Sequence, residues 1–353
     1  MIYYIPYMSS YQKRALITGI AGQDGSYLAE LLVKKSYKVF GLVRNLKKDA
    51  LRNIAELYKN KKVILIKGDL NNLKSIENAI RIAQPDEVYN LAAQSDEVQS
   101  FKLSKETYNV NYRGFGYLVD TAMRLNPKIK IFQAGSSKMF AKVKPLQSEK
   151  TPFRPISPYG KAKLKAHNKY VLGYRKKYNL FICSGILFSH ESPRRGENFI
   201  ASKIARSMVK IKLGLLDSFE LGNVDIKRDW GFAPDYIEAM WMMLQQKTPQ
   251  DFVIATGVSY SIRDFINEIA KFLGMNITWR GKGLEEIAKD KNGRVVLRIS
   301  KKYYSPTSIY YAFGNNAKIK KILGWKPKHS FKDLVKIMVE ADLKKERKNI
   351  LNN

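Results

Sequence analysis

The sequence predicts an α/β fold, a doubly wound parallel sheet covered by helices, with a smaller C-terminal lobe. Three observations predict it. Short β-rich runs alternate with helical patterns from residue 14 to about residue 190, a glycine-rich turn joins the first run to the first helix, and the alternation loosens afterwards. We therefore expect a Rossmann-type domain over residues 1–190, to which some later segments return, and a lobe that occupies mainly residues 191–353.

The predicted strands are short β-rich runs bounded by polar residues or glycine. In order they are Arg14–Ile20, Lys38–Val43, Val63–Lys67, Glu87–Ala92, Ile129–Ala134, Phe181–Phe188 and, in the second half, Asp251–Thr256. The expected helices include Gly25–Lys34, Gly114–Leu125, Asn198–Leu213, Asp235–Gln246, Ser261–Leu273 and Phe331–Lys345. Glycines and mixed charges predict a surface loop over residues 281–295.

The charge of the chain is strongly positive. Its 353 residues include 63 Lys and Arg against 31 Asp and Glu, a net charge of +32. Such a surface attracts anions, including nucleotides. The basic residues are spread along the whole chain, without an aromatic-studded groove or a reading helix, so we expect a solvated basic surface and no nucleic-acid partner.

Cysteine and histidine usage argues against a disulfide framework and a metal site. Cys183 is the one cysteine, and His167, His190 and His329 are scattered without metal-ligand spacing. The apolar segment Met1–Tyr7 is too short for a secretion signal, and no apolar run reaches membrane-spanning length. We expect a cytoplasmic protein without a membrane partner.

The glycine turn after the first strand is typical of dinucleotide binding. Gly19 allows the tight turn, Gly22 lets a pyrophosphate approach the backbone, and Gly25 lets the helix pack close to the strand. The free N–H groups at the helix start, where Gln23 and Asp24 lie, favour phosphate charge. Glycines also mark ordinary strand-to-helix turns, but the strand before this turn and the helix after it favour the cofactor site.

Residues at the ends of the next strands extend the predicted cofactor site. Arg44 ends the second strand, where an arginine suits a 2′-phosphate, so NADP is favoured over NAD. Small and polar residues that leave room for the adenine and the nicotinamide riboside follow the third and fourth strands; they are Asp69, Leu70, Leu91, Ala92, Ala93 and Ser95. The alternatives are a solvated arginine and plain turn residues.

Tyr159 and Lys163 are candidate catalytic residues. They stand four apart in SPYGKAKLKAH, which puts both side chains on one helix face. A nearby ammonium favours phenolate, so we expect a lowered pKa for Tyr159 that makes it a usable base near neutral pH. Ser136, at the end of the fifth strand, completes a candidate trio. Its hydroxyl could hydrogen-bond a substrate oxygen; the alternative is that Ser136 is an ordinary turn residue.

Longer stretches of the chain resemble a known family. The glycine turn, Tyr-x-x-x-Lys and the strand-end serine resemble the extended short-chain dehydrogenase/reductase superfamily. Within it, the chain resembles the GDP-mannose 4,6-dehydratase family through TGIAGQDGSYLAELL, NLAAQS, SPYGKAKL, GILFSHESPRRGENF, LGNVDIKRDWGFAPDYIEAMW, DFVIATG and LGWKPK. These blocks span almost the whole chain.

The resemblance implies a nucleotide-sugar 4,6-dehydratase. In that family NADP takes a hydride from C4 of the sugar with the tyrosine as base, a glutamate handles the C5 and C6 protons, water leaves, and the hydride returns to C6. Carried over, Tyr159 is the catalytic tyrosine, Lys163 its partner, and Ser136 stands where the family has threonine. The resemblance further implies NADP contacts from His190 and Arg195, substrate contacts from Ser189, Lys203, Asn223 and Arg228, and a homo-oligomer.

The chain departs from the family pattern on the sugar side. Lys138 stands at the position of the family's catalytic glutamate. If this lysine impairs proton transfer, Lys138→Glu should raise formation of the 4-keto-6-deoxy product. Asp96 replaces a histidine, Glu106 replaces a tyrosine, and residues 304–309 lack an arginine and a glutamate that grip the nucleotide. Asp96 and Glu97 are candidates for a substitute carboxylate, but no sequence pattern places either one near C5.

Three hypotheses follow. The first is a dehydratase that converts GDP-mannose or a close analogue to the 4-keto-6-deoxy sugar. The second is an NADP-dependent C4 oxidoreductase or epimerase of a related nucleotide sugar, which uses Ser136, Tyr159 and Lys163 without dehydration. The third is a cofactor-binding protein with degraded catalysis.

Overall fold

The structure of the chain is a computed structural model that describes residues 11–140, 143, 146–303 and 312–352. In chain order its strands are β1 (Arg14–Thr18), β2 (Lys38–Val43), β3 (Val63–Lys67), β4 (Glu87–Asn90), β5 (Lys130–Ala134), β6 (Ile182–Leu187), β7 (Ser189–Glu191), β8 (Phe219–Leu221), β9 (Lys227–Phe232), β10 (Phe252–Ile254), β11 (Ser259–Ser261), β12 (Thr278–Arg280), β13 (Ile287–Lys289) and β14 (Val295–Ile299).

The helices follow most strands. They are α1 (Gln23–Lys34), α2 (Ala55–Lys59), α3 (Leu73–Ala83), α4 (Gln99–Lys102), α5 (Ser104–Tyr108), α6 (Phe115–Leu125), α7 (Pro158–Ala166), α8 (Tyr174–Tyr178), α9 (Ile200–Lys212), α10 (Ala233–Leu244), α11 (Ile262–Phe272), α12 (Ala317–Leu323) and α13 (Phe331–Leu351). Short 3₁₀ turns span Lys48–Ile54, Ser137–Met139 and Gly283–Glu285, and π-helical turns span Asn109–Gly114 and His167–Gly173. Among the described residues, no helix combines the length and apolar character needed to cross a bilayer.

The centre of the fold is a seven-stranded sheet in the order β10-β6-β5-β4-β1-β2-β3. Every neighbouring pair in it is parallel. The strand order reverses beside β1, which pairs with both β2 and β4, so the carboxyl ends of β1 and β4 border the crevice where doubly wound sheets bind ligands. The predicted fold class is confirmed.

Helices cover both faces of this sheet. Successive residues of β1 point to opposite sides and are apolar, so both faces must be buried. Ile17 packs with Leu28 of α1 and Met240 of α10 in one core. Leu16 packs with α3 and α6 in a second core. The side chains of Leu16 and Ile17 are fully buried. Strand β10 and helix α10 come from the second half of the chain, so the chain returns to the sheet after leaving it.

The second half of the chain also forms a four-stranded sheet, β12-β13-β14-β8, and a three-stranded sheet, β11-β9-β7. Helices α9, α11 and α13 share a buried core with these strands, including Met208, Phe265 and Met338. The surface loop predicted over residues 281–295 is wrong, because β13 and the start of β14 lie there. Ala288 of β13 is fully buried against β14, and one buried residue in a three-residue strand leaves no alternation to detect.

The predicted strand ends shift by a few residues for identifiable reasons. Strand β1 stops at Thr18 because Gly19 turns into the left-handed region at φ 72°. The helix predicted from Gly114 begins at Phe115, after a π-helical turn. Helix α13 runs to Leu351 rather than Lys345, with Ser330 and Asp333 forming a capping box at its start.

Candidate active site

The glycine turn takes the shape that the sequence predicts. A Cβ on Gly19 would lie 2.8 Å from the Ala92 backbone nitrogen, and a Cβ on Gly25 would overlap the Gly19 carbonyl and lie 2.6 Å from Ile20 Cα. Gly22 precedes α1 with no side-chain cap, and its N–H donates to the Gly19 carbonyl at 2.9 Å. The first N–H groups of α1 are therefore left for a ligand.

A cavity of about 520 Å³ opens beside this turn. Its wall brings together most of the predicted cofactor contacts, namely Gly19, Gly22, Gln23, Asp24, Gly25, Arg44, Asp69, Leu70, Leu91, Ala92, Ala93, Ser95 and Arg195. Glu106, which replaces a family tyrosine, also lines it. Thus residues from five different strand ends meet in one place, and their individual roles stay predictions.

His190 lies behind this wall rather than on it. Its Nε2 is 2.9 Å from Asp24 Oδ2 and its Nδ1 is 2.7 Å from the Phe188 carbonyl. Burial alone would lower the pKa of His190, but the charge and the hydrogen bond of Asp24 raise it overall. Burial raises the pKa of Asp24, but the charge and the hydrogen bond of His190 lower it overall to about 2. The contact ties β7 to the start of α1.

Ser136, Tyr159 and Lys163 meet at the carboxyl end of β5, and all three are buried. Ser157 caps α7 by accepting from the Gly160 N–H, so Tyr159 lies in the first turn of the helix. Lys163 Nζ donates to the Ala134 carbonyl at 2.8 Å and lies 5.8 Å from the centre of the Tyr159 ring. Ser136 lies close enough to the Tyr159 phenol to lower its pKa.

The expected lowering of the Tyr159 pKa is wrong for the protein without ligands. Burial raises the pKa of the Tyr159 phenol, and the hydrogen bond with Ser136 and the charge of Arg195 lower it by less. Burial also lowers the pKa of Lys163 to about 8. The sequence showed the spacing of the two side chains but not their depth, and depth dominates both shifts.

Lys138 and Glu97 form an ion pair that sequence reasoning missed. Lys138 Nζ lies 2.5 Å from Glu97 Oε2, and both side chains are partly buried. Burial and the charge of Arg228 lower the pKa of Lys138, against the effect of Glu97. The Lys138 N–H donates to Ser136 Oγ at 3.2 Å, which connects the pair to the catalytic trio. The available signal was the opposite charges of Lys138, at the position of the family's glutamate, and Glu97, beside the departure at Asp96.

The predicted substrate contacts fall into two groups. Arg228 is close enough to Glu97, Glu191 and Lys138 for their charges to interact. Ser189 pairs with Trp230 on the strand that also holds Arg228. Lys203 Nζ donates to the Glu220 carbonyl of β8 at 2.8 Å, and Asn223 accepts from the Asp225 N–H in the turn after β8. The departures at residues 304–309 lie outside the described residues.

Comparison with known proteins gives one consistent result. A family model described as GDP-mannose 4,6 dehydratase matches residues 16–338. The human GDP-mannose 4,6 dehydratase is 46% identical over 345 residues, covering 95% of this chain and 92% of the relative. GDP-mannose 4,6 dehydratase 2 of Caenorhabditis elegans is 45% identical over 342 residues, with 94% and 89% covered.

The solved structures show the same fold at low sequence identity. The dTDP-glucose 4,6-dehydratase of Bacillus anthracis, solved in complex with NAD, superposes with a TM-score of 0.78 at 21% identity. The superposition covers 95% of this chain and 98% of that one.

Proposed function

The chain belongs to the GDP-mannose 4,6 dehydratase family, and we propose that it converts GDP-mannose, or a close analogue, to the 4-keto-6-deoxy sugar with NADP as cofactor. The observation that carries the proposal is the buried contact of Ser136, Tyr159 and Lys163 at the sheet edge that also holds the glycine-turn cavity. A bound nicotinamide would supply hydride chemistry there, accepting a hydride from C4 and returning it to C6.

The cavity fits such a dinucleotide. Side chains are excluded at Gly19 and Gly25 by backbone contacts, and the start of α1 offers uncapped N–H groups to a pyrophosphate. Arg44 is exposed at the end of β2 and lines the cavity. A guanidinium there favours the 2′-phosphate of NADP over the free ribose of NAD.

Tyr159 is proposed to take the proton of the C4 hydroxyl. Its phenol is neutral at rest, since burial raises its pKa, and Ser136 hydrogen-bonds the same oxygen. Arg195 adds a positive charge that favours the phenolate. Lys163, with a pKa of about 8, is mostly protonated near neutral pH and holds a second positive charge close to the ring.

The nucleotide diphosphate is proposed to lie on the second lobe. Arg228 is a half-buried cation on β9, and Lys203, Asn223 and Ser189 occupy neighbouring positions in sequence or sheet. The net charge of +32 favours an anionic substrate of this kind. Assembly as a homo-oligomer and a cytoplasmic location stay predictions from the sequence.

The test is to incubate the purified protein with NADP and GDP-mannose and to identify the product by NMR. We expect a 4-keto-6-deoxy sugar without net formation of NADPH. Net NADPH or a C4 epimer would instead support the oxidoreductase or epimerase. Cofactor binding without turnover would support the third hypothesis, a cofactor-binding protein that has lost catalysis. Tyr159→Phe is the control, because loss of a proton-transfer group slows reactions by about 10²–10⁴-fold.

A further inference from the structure

The proposed dehydration needs a second proton-transfer group. Once C4 is a ketone, a base must remove the C5 proton, and an acid must protonate the C6 oxygen before it leaves as water. Tyr159 is occupied with the C4 oxygen in that scheme. The group must therefore be another titratable side chain near Ser136 and Tyr159.

Carboxylates are the first candidates. Asp24, Glu97 and Glu191 lie among the charged groups around Tyr159, Arg195 and Arg228. Asp24 is bound to His190 at 2.9 Å, and its pKa of about 2 makes it a poor base. Glu191 is buried and forms a salt bridge with Arg195 at 3.2 Å. Glu97 differs from both, because its side chain is 30% exposed and its charge acts on Tyr159.

The neighbours of Glu97 hold it close to the proposed catalytic trio. Lys138 Nζ contacts its Oε2 at 2.5 Å, and the charge of Arg228 also acts on it. The Lys138 backbone N–H donates to Ser136 Oγ, so the ion pair is held one hydrogen bond from the proposed catalytic trio. The amino group of Lys138 is itself easier to deprotonate than an exposed lysine, because burial and Arg228 lower its pKa.

We infer that Glu97 is the acid–base residue of the dehydration step, with Lys138 as its positioning partner. This inference rests on the proposed function. The Glu97 carboxylate takes the C5 proton, and the C5–H electron pair forms the C5=C6 double bond. The C6–O bond breaks, and its oxygen takes the proton from the Glu97 carboxylic acid and leaves as water. Glu97 ends as the carboxylate.

The chain thus carries the acid–base carboxylate on the segment after β4 and an ammonium on the segment after β5. Asp96 is not equivalent to Glu97, because its Oδ1 accepts from the Gln99 N–H at 2.9 Å and caps the turn into α4. The two neighbouring acids therefore form a matched pair for mutagenesis. Asn at position 96 retains a cap acceptor, and Gln at position 97 retains shape without acid–base function.

The experiment compares Glu97→Gln with Asp96→Asn in the full chain with NADP and GDP-mannose. In Glu97→Gln we expect the 4-keto-6-deoxy product to form about 10²–10⁴-fold more slowly. Oxidation at C4, followed by nicotinamide absorbance in a single turnover, should persist and leave the reduced cofactor unconsumed. Exchange of the C5 hydrogen with D₂O, read by NMR, should fall with product formation. Asp96→Asn should keep both steps within about twofold of wild type.

If Glu97 only stabilised the structure of the site, Glu97→Gln would slow C4 oxidation and dehydration together. Glu97→Asp, which keeps a carboxylate, is the second variant. We expect it to form the 4-keto-6-deoxy product at least about tenfold faster than Glu97→Gln. A Glu97→Asp variant that is no faster than Glu97→Gln would overturn the inference.

The outcomes separate the two claims. A wild-type chain that forms no 4-keto-6-deoxy product overturns the proposed function and the inference together. A wild-type chain that forms the product, with Glu97→Gln equally active, overturns only the role of Glu97.

Discussion

Two parts of the candidate active site are built in different ways. The glycine turn and the helix with Tyr159 and Lys163 depend on local backbone geometry and residue spacing. The Glu97–Lys138 pair depends on a contact between the segments that follow β4 and β5. The first part tolerates little change, because backbone atoms already touch. The second is a contact between side chains, which can be changed without moving backbone atoms.

The largest expected effect comes from breaking the local part. Gly25→Val would drive a Cβ into the Gly19 carbonyl and against Ile20 Cα, so α1 must move away from β1. We expect NADP binding by calorimetry to weaken at least about 100-fold, because backbone cannot relax as a side chain does. Gly196→Ala is the control, since a Cβ there would make only ordinary contacts of 3.4 Å and longer with Phe199. Unchanged binding in Gly25→Val would refute the packing argument.

Lys138→Glu tests the long-range part. The sequence alone predicted that this change would restore a lost base and raise product formation. From the structure we expect the opposite outcome, because the new carboxylate would face Glu97, the present partner of Lys138 at 2.5 Å. Like charges disfavour the ionised pair, and we expect the 4-keto-6-deoxy product to form about 100-fold more slowly. Faster product formation would mean that Glu97 contributes nothing and that Lys138 only impairs the site.

Lys163→Met separates function from stability within the local part. Burial lowers the pKa of Lys163 from its usual value near 10.5 to about 8. Below pH 8 the native state holds a charged lysine at a cost. Between pH 8 and 10.5 the native lysine loses its proton first, so the unfolded state binds more protons and stability rises with pH.

The variant removes that cost, and the Ala134 carbonyl keeps a second donor in Gln133. Urea unfolding of the ligand-free protein at pH 7 should show Lys163→Met more stable by about 2 kcal/mol, with the difference shrinking toward pH 10.5. A less stable variant at pH 7 would show that the lysine stabilises the fold.

The smallest effect concerns cofactor choice. Arg44→Ala should weaken NADP binding about tenfold and leave NAD binding nearly unchanged, because one charge-assisted contact to the 2′-phosphate is lost. Arg52→Ala is a matched control, an exposed arginine on the neighbouring 3₁₀ turn that does not line the cavity. Equal weakening of both dinucleotides by Arg44→Ala would contradict the assignment of NADP.

The sequence predicted what local chemistry determines. The spacing of Gly19 and Gly25 predicted the tight turn and the close packing of α1, and the spacing of Tyr159 and Lys163 predicted a shared helix face. The sequence could not predict contacts between residues that are distant along the chain, or the effect of burial on their pKa values. The meeting of Glu97 with Lys138 and the rise in the Tyr159 pKa both depend on depth and neighbours. The short strand β13 was missed because its pairing with β14, not its own pattern, forms it.

The most direct test of the account uses GDP-mannose that carries deuterium at C4, incubated with wild-type protein and NADP. We expect the deuterium at C6 of a 4-keto-6-deoxy product, because the hydride removed from C4 returns to the same sugar. Deuterium retained at C4, or found in released reduced cofactor, would contradict it.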